Sequence, residues 1–507
     1  MILTTEEITQ VSAKERFTKL DGDRTNVLDR ARDCSKLTIP SILPDDDADE
    51  TTALVTPYQA LGSRLVNNLA SKLLLSLLPP NTSFFRLIVD DEIKEDIQAQ
   101  GQDAILNEIE AKLVQAEQTI LKQIEREALR VPTFEALKDL VVTGNSLAVK
   151  TKDNLKVYKL NNYVVSRDFR GNPLEIVTRE TVVKETLPDA IKEQLKEDTT
   201  DGSDISVYTR CILNDGKWHE YQYVDDILVE GSYTTFSKDK FPYIPLRWSA
   251  INGENYGRGL VEQYIGDFRS LEGLYQMMIE SSAVMARVLF GLRPGSQTDL
   301  EELNDASNGE FVFGDLEQDI SVLRVEKGSD LQIPLNMIQD LTRRLEQAFL
   351  VASSVARESE RTTATEIRFM AADLEQALGG VYSVLSLEYQ RPLAKMLLSQ
   401  SGINLKQLGV EAVIVTGIEA LGRNAELDKL RQFNALLQEL GAPEQILQRI
   451  NIDAYITMMG NALELDTKPL IKSQQQIQQE QQAQQEQMLM QQAGSNLVDG
   501  ATMPQQQ

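Results

Sequence analysis

Apolar positions between Leu260 and Gln400 recur at helical spacing and predict three long helices. The first row of apolar positions, which we call a seam, starts after Leu260 and is interrupted by one polar residue, Ser282. Its apolar positions are Tyr264, Phe268, Leu271, Tyr275, Met278, Met285 and Leu289. Alternating intervals of four and three residues are typical of a helix that packs lengthwise against other helices. A helix of about 30 residues would span ~45 Å, which is longer than a globular domain needs.

Two more helices follow the first. The second comes after Pro334 and has its apolar positions at Leu335, Ile338, Leu341, Leu345 and Phe349. The third begins at a capping box, Thr363 with Glu366 three residues later. It continues through Ile367, Met370, Leu374, Leu378, Val381 and Leu385 as one very long helix. Helices of this length predict a scaffold built around an axis and not a pocket for a small molecule.

The apolar period changes to two between Ser146 and Trp248, which predicts β-strands. The strand-like runs are 157–158, 163–165, 175–183, 205–213 and 221–229, separated by turn signals such as Asp215-Gly216. Ahead of them, helices are predicted over 5–35, 57–78, 103–130 and 132–144, with a strand at 84–89. The chain is therefore predicted to be an α+β protein.

The segment from Arg293 to Asp330 interrupts the helices and carries ten acidic against three basic residues. Turn signals and two strand candidates, Glu310–Phe313 and 320–325, predict a small acidic knob at one end of the rods. After the third helix we expect a strand at 411–416 and helices at 424–440 and 443–465. From Ser473 onward, 15 of 35 residues are Gln, which predicts a tail without a core.

The formal net charge of the 507-residue chain is −26. This argues against a protein that grips a nucleic-acid backbone over a broad surface, since that grip needs many Lys and Arg contacts. It remains compatible with a wall past which DNA slides. The chain has no run of 18 uncharged apolar residues, so no membrane span is predicted. Its N-terminal residues do not resemble a secretory signal. The two cysteines, Cys34 and Cys211, are expected to be reduced thiols in a cytosolic compartment.

Known catalytic motifs are missing from the sequence. There is no phosphate-binding G-x-x-x-x-G-K-[ST] loop and no G-x-S-x-G elbow, and Gly257-Arg258-Gly259 is interpreted as a turn that starts a helix. His219 is the single histidine and is interpreted as a surface or sheet residue. The acidic run 45–50 is interpreted as a solvated turn in preference to a metal site. We expect no enzymatic activity, no metal and no cofactor.

The segment between the second and third helices, 351–362, is small, polar and basic at Arg357 and Arg361. A loop with Ser353, Ser354 and two arginines in an acidic chain is a candidate contact for a polyanion that passes along an axis. Glu358 and Glu360 flank the arginines, so the net grip there should be weak. The alternative is a plain solvated connector between helices.

The order from Tyr256-Gly257-Arg258-Gly259 into the first helix, through the acidic insertion, to Arg361-Thr362-Thr363-Ala364-Thr365-Glu366-Ile367-Arg368-Phe369 resembles a known family. It is similar to the portal proteins, or head-to-tail connectors, of short-tailed bacteriophages, and most of all of podoviruses with their own RNA polymerase. The resemblance covers essentially the whole chain, and the T-A-T-E-I element at 363–367 is its most specific match. Portal proteins form a ring, normally of twelve subunits, at one capsid vertex.

The resemblance implies a portal fold with long stem helices, a β-containing wing, a small clip insertion and a helical C-terminal crown. The implied boundaries are wing 1–257 with 363–420 returning to it, stem 258–290 and 334–350, clip 291–333, tunnel loop 351–362, crown 424–472 and tail 473–507. Ser353, Ser354, Arg357 and Arg361 would face DNA in the tunnel loop. Asp299, Glu301, Glu302 and Asp305 would dock partners on the clip.

The implied partners are the chain itself in a homododecameric ring, double-stranded DNA in the channel, the terminase large subunit and a tail adaptor. Scaffolding, capsid and internal core proteins complete the set, and no membrane is involved. The implied location is the portal vertex of the virion, after assembly in the host cytoplasm. Two other classes stay open: a non-portal helical scaffold or adaptor protein of a large assembly, and a metal-dependent nuclease, for which no set of carboxylates with a Lys or His is assembled.

Overall fold

The computed structural model of the chain describes most of residues 11–401 and a short stretch beyond. The described residues are 11–46, 48, 51–80, 83–99, 103–187, 189–192, 204–286, 289–295, 299–309, 311, 313, 315–323, 331–351, 364–378, 380–401, 412–416 and 435. They belong to two compact units. The first unit comprises Met1–Pro80, Ile124–Thr362 and Met370–Met396, and the second comprises Asn81–Gln123, Thr363–Phe369 and Leu397–Gln507.

Most of the strands lie between residues 145 and 247, and most of the helices lie before and after that range. In chain order, the helices are α1 Ala13–Gly22, α2 Thr25–Lys36, α3 Leu61–Leu77, α4 Asp91–Ala99, α5 Asp103–Arg126, α6 Arg130–Thr143, α7 Asp189–Lys192, α8 Leu260–Gln263, α9 Ile265–Met285, α10 Leu300–Asp305, α11 Leu316–Asp319, α12 Gln332–Ala348, α13 Ala364–Leu378, α14 Val381–Leu385 and α15 Arg391–Gln400. The strands are β1 Phe85–Val89, β2 Asn145–Lys150, β3 Leu155–Tyr158, β4 Tyr163–Arg167, β5 Pro173–Val183, β6 Asp204–Asn214, β7 Lys217–Val224, β8 Ile227–Leu228, β9 Thr234–Ser237, β10 Tyr243–Arg247, β11 Leu289–Leu292, β12 Ile320–Leu323 and β13 Ala412–Thr416. The α+β class predicted from the sequence is confirmed.

The first unit contains a six-stranded antiparallel sheet in the order β4-β5-β6-β7-β8, with β9 also paired to β7. The turn at Asp215-Gly216 joins β6 to β7, as its sequence predicts. Helix α1 begins at Ser12, whose hydroxyl accepts the Glu15 N–H at 3.1 Å. Its Phe17 packs edge-to-face on Tyr208 of the sheet, with ring centroids 5.6 Å apart. The helix covers one face of the sheet and closes an apolar core there.

A second, three-stranded sheet of the same unit has the order β10-β2-β3. Helix α6 packs against β2 and β3 of this sheet, and helix α3 packs against α6. Helix α3 buries Leu65, Leu69 and Leu73, which recur every four residues and therefore form one face. Helix α6 ends at Gly144, whose left-handed backbone (φ 78°) caps the helix before β2 begins.

The third long helix predicted from Thr363 onward is not continuous, so that prediction is wrong. Helix α13 ends at Leu378, Gly380 takes a left-handed conformation (φ 91°), and α14 follows. A single π-helical turn, Ser386–Gln390, then leads into α15. Buried hydrogen bonds fix this broken course, because Tyr382 Oη donates to the Ser76 carbonyl at 3.0 Å and Gln390 Nε2 to the Leu77 carbonyl at 2.8 Å.

The second unit pairs β1 with β13 in antiparallel register, from Phe85 opposite Thr416 to Val89 opposite Ala412. The strands predicted at 84–89 and 411–416 are confirmed, whereas helix α4 was not predicted. The buried Glu117 carboxylate on α5 accepts the Leu87 N–H at 2.7 Å and ties this helix to β1. Residues 81–123 of the predicted wing thus belong to the second unit.

Among the described residues, no helix combines the length and apolar character that crossing a membrane requires.

Candidate functional site

Helices α9 and α12 form an antiparallel pair, which we call the helix pair. Their shared core holds Phe268 and Leu271 from α9, and Ile338, Leu341 and Leu345 from α12, all buried. At one end Phe349 packs edge-to-face on Phe268, with ring centroids 5.8 Å apart. At the other end strands β11 and β12 pair and join the two helices. The spacing of the apolar positions therefore predicted both helices and their contact.

The seam predicted for the first helix is only partly buried, and its end is misplaced. Helix α9 stops at Met285, and Leu289 belongs to strand β11, so the prediction of a helix that continues through Leu289 is wrong. Leu289 pairs with Leu323 of β12. Gly291 approaches Ser321 so closely that an added Cβ would lie 2.7 Å from the Ser321 hydroxyl oxygen. This strand pairing overrides the helical spacing of the apolar residues.

A second apolar face of α9 is exposed in the subunit. Met277 and Val284 are 39% and 52% exposed, and they lie seven residues apart, on one side of the helix. Gly266 and Gly273 lie on this same side, and a Cβ added to either would have nothing within 4 Å. This side is roughly opposite the buried Phe268–Leu271 side at 100° per residue. Met277, Val284 and the two glycines on this side are thus left uncovered by the subunit itself.

Helix α12 also exposes apolar side chains near the β11–β12 end. Ile333 and Met337, four residues apart and therefore on one side, are 68% and 51% exposed. The exposed face of α9 lies away from the core that the two helices share, whereas Ile333 and Met337 continue the row of Leu341 and Leu345 toward the β11–β12 end, where the row becomes exposed. A single subunit therefore presents unsatisfied apolar surface along the helix pair.

The start of the helix pair is held by a joint made of Gly144, Asn145 and the segment Tyr256–Gly259. A Cβ on Gly144 would lie 2.4 Å from the Gly259 nitrogen, and one on Gly259 would lie 2.8 Å from the Val142 carbonyl oxygen. The Asn145 side chain brackets Gly257 by donating to its carbonyl at 2.9 Å and accepting its N–H at 2.7 Å. The backbones can approach this closely only because the glycines have no side chain.

Tyr256 and Arg258 complete the joint. The Tyr256 hydroxyl accepts the Val165 N–H at 3.0 Å, and the Arg24 guanidinium lies 5.3 Å from the centroid of the Tyr256 ring. Gly259 is the cap residue of α8, so the interpretation of this segment as a turn that starts a helix is confirmed. What the sequence did not reveal is that Gly144 and Asn145 meet it from 112 residues away.

The far end of α12 is closed by a Schellman motif with an unusual residue. The Val351 N–H donates to the Glu346 carbonyl at 2.8 Å and the Leu350 N–H to the Gln347 carbonyl at 3.1 Å. Leu350 has φ 59°, a left-handed conformation that normally favours glycine. The Lys72 ammonium donates to the Leu350 carbonyl, and burial lowers the pKa of Lys72 below its ordinary value. Helix α3 thus anchors the point at which the chain leaves α12.

The paired strands β11 and β12 lie at the base of the acidic insertion, whose described residues include the short helices α10 and α11. Asp299 caps α10 by accepting the Glu301 N–H at 2.9 Å, and Asp299, Glu301 and Asp305 are exposed. Glu302 lies in α10. The strand predicted at Glu310–Phe313 is wrong for its described residues, because Phe311 and Phe313 lie outside any strand and are almost entirely exposed. The strand predicted at 320–325 is observed as β12.

Several predicted features lie outside the described residues. They are the loop residues Ser353, Ser354, Arg357 and Arg361, the side chains of the capping box Thr363 and Glu366, the helices at 424–440 and 443–465, and the Gln-rich tail.

The histidine, the cysteines and the described acidic residues of 45–50 make ordinary structural contacts. His219 lies on β7 with its Nδ1 2.9 Å from the Tyr233 hydroxyl. Cys34 and Cys211 are unpaired and buried. Ion pairs join Asp45 to Lys36 at 2.9 Å and Asp46 to Arg32. Across the described part of the chain, no group of three or more His, Cys, Asp or Glu side chains is placed to hold a metal ion.

Comparison with known proteins gives a consistent result. Residues 10–471 match a family described as "Bacteriophage head to tail connecting protein". The portal protein of Enterobacteria phage T3 is 37% identical over 481 residues, covering 92% of this chain and 89% of that protein. The portal protein of Escherichia phage T7 is 37% identical over 483 residues, with the same coverage of 92% and 89%.

A solved structure, "Virion of native gene transfer agent (GTA) particle", is similar with a TM-score of 0.35 and 10% identity, over 76% of this chain and 86% of that chain. That likeness is distant, and the family match rests on the sequence relatives.

Proposed function

Because this chain belongs to the family of bacteriophage head to tail connecting proteins, we propose that its copies close into a portal ring of twelve subunits around a channel for double-stranded DNA. As a member of the family it is a portal protein of a short-tailed phage, a virion component at the connection between head and tail. DNA would enter the capsid through this ring during packaging and leave through it at infection.

The observation that supports the ring is the exposed apolar surface of the helix pair. Met277 and Val284 on α9 are exposed on one side, and Ile333 and Met337 are exposed on α12. Each subunit of a closed ring must offer two different, complementary faces to its two neighbours. Twelve helix pairs standing side by side would bury both faces and line a channel. The net charge of −26 suits such a channel, because a like-charged wall disfavours adhesion of DNA.

Electron microscopy of the purified full-length chain tests this proposal directly. We expect closed rings with a central hole and twelve subunits in top view. Filaments or rods would favour a helical scaffold protein, and a chain that stays monomeric at all concentrations would contradict the ring.

In the proposed ring, successive segments of the chain form different parts. The helix pair, with 258–290 and 334–350, forms the stem, and 291–333 forms the clip that meets the terminase large subunit and later the tail adaptor. Residues 1–257 with 363–420 form the wing, 424–472 the crown inside the capsid, and 351–362 the tunnel loop. Scaffolding, capsid and internal core proteins contact the remaining surfaces, and assembly takes place in the host cytoplasm. The protein acts without catalysis, metal or cofactor of its own.

Neutralising the clip acids is expected to separate docking from assembly. The triple variant Asp299→Asn, Glu301→Gln and Glu302→Gln should form normal rings but impair terminase-dependent packaging or tail attachment several-fold, since exposed charges steer partners more than they hold folds. Asparagine at position 299 keeps the cap of α10. Packaging yield and tail attachment are the measurements.

The matched control carries the same charge change on exposed residues far along the chain from the clip, one at the start of β6 and two in turns: Asp204→Asn, Asp153→Asn and Glu230→Gln. It should behave as the wild type. Loss of rings in the clip triple variant, or equal defects in both triple variants, would contradict the docking role.

The tunnel loop is assigned from the sequence, and its arginines are proposed to touch DNA phosphates. Each guanidinium would make a charge-assisted contact with a phosphate, and the total affinity of the loop for DNA should be low and strongly salt-dependent. Arg357→Ala with Arg361→Ala should leave rings intact and change DNA retention or ejection rate, whereas Arg357→Lys with Arg361→Lys should keep most of the wild-type behaviour.

Reversing the charge at Glu360 separates two roles for these arginines. Tighter DNA retention supports phosphate contact, and weakened rings support pairing with the neighbouring subunit. If none of these variants changes retention, ejection or ring stability, the loop is a solvated connector.

A further inference from the structure

An extended segment before helix α3, residues 51–58, is exposed along almost its whole length, and we call it the arm. It contains no helix or strand, and every residue from Thr51 to Thr56 is exposed. Val55 is 88% exposed and Tyr58 is 52% exposed. Between Thr51 and Gln59 the sequence carries no charge, although 25% of the whole chain is charged. A surface segment that carries no charge and exposes several apolar side chains is unusual.

The arm is nevertheless held at its root. The N–H groups of Tyr58 and Gln59 donate to the Glu272 carboxylate on α9, at 2.8 and 3.3 Å. The Gln59 side chain donates to the Leu37 carbonyl at 2.6 Å and accepts the Gly62 N–H at 2.8 Å. These bonds position the arm beside the helix pair without burying Leu54, Val55 or Tyr58. A segment that is placed but uncovered is pre-organised for a contact, since less ordering is needed on binding.

The position of Glu272 ties the arm to one particular side of α9. Ile279 lies seven residues further on, so it shares that side at ~10.5 Å along the axis, and it is exposed. Met277 and Val284 lie roughly 140° away around the helix at 100° per residue. Ile279 therefore lies on the side of α9 that carries Glu272 and the root of the arm, apart from the Met277–Val284 side.

We propose that the arm packs on the neighbouring copy of this chain in the ring, which rests on the proposed function. A ring interface joins two different faces of the same subunit, and the arm with Ile279 supplies one face while the Met277–Val284 side supplies a different one. The absence of charge in the arm fits this occupant, because a neighbouring copy is itself strongly acidic and would repel an acidic arm. The arm thus links the root of one stem to the next subunit.

The two native cysteines permit a clean chemical test. Both are buried, and burial raises the pKa of the Cys34 thiol to about 12 and that of Cys211 well above its ordinary value. Neither thiol should react readily with a maleimide. The variant Val55→Cys therefore places one reactive thiol on the arm.

We expect the Val55→Cys thiol to react rapidly in the unassembled subunit and at least about tenfold more slowly in the ring, because reactivity follows exposure. Equal reactivity in rings and subunits would overturn the proposal while leaving the ring itself intact. Protection already present in the monomer would also overturn it, because it would show that another part of the same chain covers the arm. A wild-type chain that never forms rings would refute the proposed function and the neighbour as occupant together.

An independent variant measures the contribution of the arm to assembly. Val55→Asp should leave the melting temperature of the subunit unchanged and raise the protein concentration needed for ring formation at least tenfold, by placing a charge in an apolar contact. The control is Val131→Asp, another strongly exposed valine, on α6, which should assemble as the wild type. Normal assembly of Val55→Asp would contradict the arm contact.

Discussion

Alanine at Gly144 is expected to lower the stability of the subunit by roughly 2–4 kcal/mol, and much of the protein should become insoluble. Two costs add. Gly144 has φ 78°, which costs an alanine about 1 kcal/mol, and the new Cβ would lie 2.4 Å from the Gly259 nitrogen and 2.8 Å from the Arg258 Cα. These neighbours are backbone atoms that cannot rotate away, so α6 and the start of α8 must move apart, at a cost of about 1–3 kcal/mol as for other overpacked cores. Thermal unfolding and soluble yield are the measurements.

Gly216 provides a control with the same backbone strain and none of the crowding. Its φ is 75°, and a Cβ there would have nothing within 4 Å. Gly216→Ala should therefore cost only about 1 kcal/mol, through backbone strain alone. If the two alanine variants unfold at the same temperature, the close approach at Gly144 is not what holds the joint together.

The joint also shows where prediction from the sequence stops. Turn signals such as Asp215-Gly216 are local, because both residues of the turn and both strands lie within a few positions. The role of Gly144 depends on Gly257 and Gly259, which are distant along the chain, and a single sequence contains no signal for that proximity. The segment Tyr256–Gly259 was correctly placed at the start of a helix, whereas its partner Asn145 was missed.

In the helix pair, too, the sequence predicted some features and missed others. Apolar spacing located Phe268, Leu271, Ile338, Leu341 and Leu345, and all five are buried. The spacing continued past Met285 and past Leu378, but the helices did not, since strand pairing at Leu289 and the left-handed Gly380 ended them. Periodicity records which residues prefer burial, but not which partner buries them.

Two positions on α9, six residues apart, separate folding from assembly. Leu271 is 0% exposed in the core of the helix pair, so Leu271→Asp would bury a carboxylate without a partner. We expect a loss of at least about 3–5 kcal/mol, in the range of an uncompensated buried charge, and no soluble folded subunit. Circular dichroism and soluble yield would report this loss before any question of assembly arises.

Met277→Asp should instead leave the subunit folded and abolish rings. Met277 is 39% exposed and lies on the side of α9 that the subunit leaves open, so the new carboxylate stays in water until a neighbour approaches. In a ring the same carboxylate would be buried against an apolar surface and repeated in every subunit, so the destabilisation accumulates around the circle. Electron microscopy and sizing should show a folded monomer with a near wild-type melting temperature. Rings of normal yield from Met277→Asp would show that this side of α9 faces solvent or the channel, and the subunit contacts would then have to lie elsewhere on the helix pair.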